Sequence, residues 1–82
     1  MNITMYYKNL SELSRGQTAR IAKLEAAPAV RQRLLDLGLV EHTQIEHLQT
    51  APGGDPAAYL VRGTVIALRR EDAEQIRVYQ SN

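Results

Sequence analysis

The sequence predicts a mainly β domain: a small, strongly bent barrel of about five short strands, with one helix inserted after the first strand and short helical turns. Three observations predict it. Apolar stretches of strand length recur between breaks rich in Gly, Pro and Asp. One segment, residues 28–37, carries a clear helical period. The 82 residues are too few for the longer strands of a two-sheet sandwich.

Taken in order, residues 1–9 are expected to be a loosely held tail, and the folded domain to run over residues 10–79. Leu10 and Leu13, at i, i+3 spacing, seat one helical turn that Gly16 ends. Residues 18–24 have strand character, with Ala19 and Ile21 on one face. Lys23 then breaks the alternation while Ala22 and Leu24 continue it in the other phase, so a bulge is expected near Ile21. In residues 28–37, Pro28 suits a first helical position, and Val30, Leu34 and Leu37 recur at i, i+4, i+7 as one apolar stripe. Gly38 falls at the left-handed residue that ends a helix, and Leu39 is placed to pack back on Leu34.

Residues 43–50 read as the second strand and 57–62 as the third, with the breaker run Pro52-Gly53-Gly54-Asp55-Pro56 turning between them. A tight hairpin at Arg62-Gly63-Thr64 leads into residues 64–68, with Tyr59, Val61, Ile66 and Leu68 facing inward. Residues 70–75 form a polar helical turn, 76–79 the last strand and 80–82 a short tail.

Composition excludes several function classes. With no cysteine there is no disulfide framework, thiolate zinc site, iron–sulfur cluster or cysteine nucleophile, which fits a cytoplasmic chain. No stretch approaches the roughly 20 apolar residues of a membrane span, and residues 1–8 lack the pattern of a signal peptide. The chain is therefore expected to be soluble and to meet a membrane only through a partner. A net charge of +1 carries no strong argument for nucleic acid.

The order of residues resembles a known family. Leu10, Leu13 and Gly16, then Ile21, then Arg31, Arg33, Leu34, Leu35, Leu37, Gly38 and Leu39, then Gly54-Asp55-Pro56, then Leu68-Arg69 follow the pattern of FeoA domains from about Leu10 to Val78. One departure is visible: FeoA domains often carry a glycine where this chain has His42, so His42 is expected to take the strained positive φ or the turn to differ. The resemblance implies an SH3-like barrel that works beside FeoB, a membrane protein that imports Fe²⁺ and carries a cytosolic GTP-binding domain. Similar domains also end some metal-dependent repressors, whose DNA-binding helices this chain has no room for.

The candidate sites divide into weak and stronger ones. His42 and His47, five residues apart on an extended strand, point to opposite faces and cannot share a metal ion within it. His47 shares a face with Ile45 and reads as a structural histidine with a hydrogen-bond partner. Glu71, Asp72 and Glu74 read as a solvated helix start, and Gly53-Gly54-Asp55 matches no phosphate-binding motif. Ser11, Ser14 and Ser81 have no histidine linked to them by a motif. No catalytic residue, metal site or cofactor is therefore expected.

What remains is a binding surface on the helix, with Arg31, Arg33, Leu35 and Leu39 as partner-binding residues. Leu35 can equally be core. The expected function is an accessory, non-catalytic module that docks onto FeoB, through its cytosolic GTP-binding domain or its membrane portion. The alternatives are a nucleic-acid-binding barrel using Arg20, Lys23, Arg62, Arg69 and Arg70 with Tyr59, and an iron carrier or sensor. Self-association through exposed strand edges stays open.

Overall fold

The computed structural model describes residues 3–81. Six strands form the sheet: β1 (Met5–Asn9), β2 (Thr18–Leu24), β3 (Gln44–Thr50), β4 (Ala57–Val61), β5 (Thr64–Leu68) and β6 (Ile76–Ser81). They lie in the order β1-β6-β2-β3-β4-β5, and every neighbouring pair is antiparallel. Helix α1 (Pro28–Asp36) joins β2 to β3, the four-residue helix α2 (Arg70–Ala73) joins β5 to β6, and a 3-10 turn covers Leu10–Glu12. The inward side chains of the strands meet Leu10, Leu34 and Leu39 in a single core, so the sheet curves around one apolar centre.

Two devices bend it. In β2 the register against β6 shifts between Ile21 and Lys23, the bulge that the broken alternation predicted. A second shift, between His47 and Gln49 of β3, has no such signature in the sequence. The β4–β5 hairpin turns through two residues, Arg62 at φ 51° and Gly63 at φ 78°, with Val61 paired to Thr64. Positive φ at both positions is the turn whose twist matches that of the flanking strands. Tyr59, Val61, Ile66 and Leu68 all face inward, as the alternation required.

Helix α1 starts at Pro28, whose missing N–H costs nothing at a first helical position. It ends in a complete Schellman motif: the Gly38 N–H donates to the Leu35 carbonyl at 2.9 Å, and the Leu39 N–H to the Leu34 carbonyl at 3.2 Å. Gly38 has φ 96°, and Leu34 and Leu39 are both fully buried.

Three expectations are corrected. Met5–Asn9 is a strand, not a loose tail: it pairs with β6 from Met5↔Ser81 to Asn9↔Arg77. It is held by ladder hydrogen bonds at a sheet edge and buries almost nothing, so it lacks the alternating apolar signal that marks a strand in sequence. For the same reason Gln80 and Ser81 belong to β6 rather than to a C-terminal tail; Met1, Asn2 and Asn82 lie outside the described residues. On α1, Leu37 leaves the predicted stripe. It is the C-cap residue and is 40% exposed, while Leu35 packs on the core beside Val30.

Candidate docking surface

A groove of about 280 Å³ runs between α1 and β2. Ile21, Leu24 and Leu39, all buried, form its floor, and Lys23, Arg31, Leu35 and Glu41 its walls. The spacing of the helix sets this arrangement. Arg31 and Leu35 are one turn apart and so share a face, with Leu35 half-buried and Arg31 exposed. On the opposite wall the β2 bulge turns Lys23 outward between the buried Ile21 and Leu24. Two cations and one carboxylate thus ring an apolar floor, and no ion pair joins them among the described residues.

The predicted partner-binding residues do not all reach this groove. Arg31 and Leu35 do. Arg33 points the other way, donating to the Asp72 carboxylate at 2.9 Å and tying α1 to α2. Because Arg33 is 58% exposed, that pair contributes at most about 1 kcal/mol. Leu39, expected at an interface, is fully buried, because the Schellman turn folds it back onto Leu34; it supports the groove from beneath.

The weaker candidates are scattered. Of the two alternatives at His42, the structure takes the positive φ, at 70°. Its strain is held on both sides. Its N–H donates to the Ile21 carbonyl at 2.7 Å, its carbonyl accepts from Arg20 Nη1 at 2.8 Å, and its Nδ1 lies 2.9 Å from the Tyr79 hydroxyl. His47 is buried and satisfied: Nδ1 donates to the Leu13 carbonyl at 2.8 Å. A carbonyl only accepts, so the proton of the neutral ring sits on Nδ1, and Nε2 accepts from the Thr50 hydroxyl at 3.0 Å. Its ring packs 5.2 Å from that of Tyr59.

Asp55, in the breaker run, accepts the Arg70 N–H at 2.9 Å and so anchors that turn to the start of α2. No three His, Asp or Glu side chains converge to hold a metal among the described residues. Nor does any helix there reach the length and apolarity needed to cross a membrane. In the alternative nucleic-acid set, Tyr59 is only 2% exposed and has no face for a base to stack on. Burial pushes the Tyr59 phenol above its ordinary value, and the nearby Asp55 carboxylate pushes in the same direction.

One cluster was not predicted. Tyr7 of β1 and Tyr79 of β6 stand side by side with ring centroids 6.0 Å apart, and the His42 ring meets Tyr79 edge-on at 6.0 Å. Tyr7 fell in the segment read as a tail, and Tyr79 faces away from the core, so neither took part in a readable apolar pattern.

Known proteins share this architecture and this residue order. The model of the FeoA domain family matches residues 8–80. A Porphyromonas gingivalis protein named as an Fe(2+) transport protein A/Fe(2+) transporter FeoB fusion is 41% identical over 69 residues; these are 84% of this chain but only 8% of that one. The solution structure of FeoA from Chlorobium tepidum is similar at a TM-score of 0.81 with 44% identity, covering 87% of this chain and 68% of the other. Stenotrophomonas maltophilia FeoA, crystallised with zinc and described as an SH3 domain protein, matches at a TM-score of 0.74 with 30% identity over 89% and 95% of the two chains. With the family model matching residues 8–80 and the same curved fold in solved FeoA structures, the chain belongs to the FeoA domain family.

Proposed function

We propose that this chain is a non-catalytic accessory protein of ferrous iron uptake that docks onto the transporter FeoB through the groove between α1 and β2. The observation that carries the reading is the Porphyromonas gingivalis relative, in which a segment 41% identical to this chain is part of one polypeptide with FeoB. A domain tethered to a transporter is held beside it at high effective concentration, and contact with that transporter is the simplest physical role for it and its relatives.

The groove supports the location. It offers an apolar floor, the half-buried Leu35, and two cations with no ion-pair partner among the described residues, the usual make-up of a contact with a buried centre and a charged rim. Docking is assigned to the cytosolic side of the transporter.

The test is calorimetric titration of the protein into the purified cytosolic GTP-binding domain of its cognate FeoB, with and without guanine nucleotide. Saturable binding that weakens in Arg31→Glu and Leu35→Ala, with both variants still folded, is expected. Binding that is absent in both nucleotide conditions rejects docking on that domain, and binding unaffected by either variant rejects the groove.

A further inference from the structure

Beside the groove, on the outer face of β1, β6 and β2, lies a second concavity of about 440 Å³. Met5, Tyr7, Tyr79 and His42 give it an apolar and aromatic wall, and Lys23 and Arg77 a basic one; Glu41 is its single acidic side chain. Lys23 and Arg77 are direct cross-strand partners in the β2–β6 ladder, both exposed and both outward. Like charges directly opposite each other on neighbouring strands disfavour the folded sheet. No carboxylate bridges them, since Arg33–Asp72 is the one ion pair among the described residues. The paired cations thus stand without an ion-pair partner among the described residues, Glu41 being the one acidic side chain of the concavity.

Met5 and Tyr7 precede residues 8–80, the part matched by the family model, so the family pattern does not account for this aromatic wall. Among the described residues, Ile3, Met5, Tyr6 and Tyr7 are four of the six large apolar side chains that stand exposed, and they gather at this one edge of the sheet.

We propose that this face receives an acidic, extended segment of a partner polypeptide, with a carboxylate bridging Lys23 and Arg77 and a proline or aromatic side chain lying across Tyr7 and Tyr79. Charge complementarity selects the acidic partner: one carboxylate neutralises two adjacent cations and removes their mutual repulsion. Aromatic walls are where extended, proline-rich segments dock with little loss of chain entropy. The face also adjoins the α1–β2 groove through Lys23 and Glu41, which line both. The inference rests on the docking reading and gives the partner segment its chemistry.

The test uses a labelled ten-residue peptide of alternating glutamate and proline, followed by fluorescence anisotropy at low salt, with a lysine–proline peptide and single-stranded oligothymidylate as comparisons. The glutamate peptide should bind saturably and the lysine peptide should not. Tyr7→Ala and Lys23→Glu should each weaken binding about tenfold. Lys23→Glu creates a cross-strand ion pair with Arg77, so it should also raise Tm by about 2–4 °C while binding weakens. No binding of the glutamate peptide, equal binding to both variants, tighter binding of the oligonucleotide, or a Tm that Lys23→Glu leaves unchanged or lowers overturns the proposal. FeoB binding that survives Lys23→Glu and Tyr7→Ala while the peptide fails overturns this inference alone. Loss of FeoB titration with peptide binding intact overturns only the choice of FeoB.

Discussion

Gly38 shows how one residue closes an element. Its φ of 96° lets the chain reverse after α1 and deliver Leu39 to the core, and a Cβ there would meet only Val61 Cγ1 at 3.9 Å. Space is therefore not the obstacle; backbone conformation is. Gly38→Ala should cost about 1–2 kcal/mol in urea denaturation, with an unchanged slope. Tyr59 shows the electrostatic side. Its pKa is raised in the folded state, so the stability it contributes is complete below the unfolded value of 10.0 and is lost as pH rises through the folded one. Thermal unfolding followed from pH 8 to 11 should therefore show a steeper alkaline decline in the native protein than in Tyr59→Phe. At this scale the sequence was legible wherever a residue's chemistry is local: Gly38 and the satisfied His47 were expected, and the positive φ of His42 was one of two alternatives. The packing of Leu39 on Leu34 was expected too, and its burial places it in the floor of the groove rather than on an exposed surface.

Among the elements, legibility followed burial. Strands β2 to β5 and α1 each place side chains in the core and so carry a period, and even the β2 bulge left a phase change at Ile21 to Lys23. Strand β1 left none, because an edge strand with both faces largely exposed is specified by its neighbour's hydrogen bonds rather than by its own apolar pattern. The β3 shift at His47 to Gln49 was silent for the same reason: Leu48 is half-buried and neither face loses its apolar residues. The β4–β5 hairpin offers a test of turn chemistry. Arg62 holds φ 51°, a conformation that asparagine adopts more readily than arginine. Arg62→Asn should stabilise the protein by about 0.5 kcal/mol, read as a higher urea midpoint.

In the whole molecule, the candidate groove is built over the same core that holds the fold, since Ile21, Leu24 and Leu39 belong to both. The core draws on every strand except β1 and on both helices, while the α1–β2 groove opens above three of its residues and shares Lys23 with the aromatic face beside it. Of the predicted surface, Arg31 and Leu35 converge on the groove because they lie one helical turn apart, which the sequence displays directly. The contribution of β2 and Glu41 was not readable, since it depends on how α1 crosses the sheet. Salt should weaken the complex with the transporter, and Arg31→Glu should reduce that dependence, because an exposed cation acts mainly through screened, longer-range attraction.

Nuclear magnetic resonance mapping of the isotope-labelled protein against the unlabelled cytosolic domain of FeoB tests the docking surface most directly. Amide shifts concentrated at residues 21–24, 31–35 and 39–41, with β4 and β5 unmoved, are the predicted result. Shifts confined to the β4–β5 hairpin, or none at saturating partner, would contradict it.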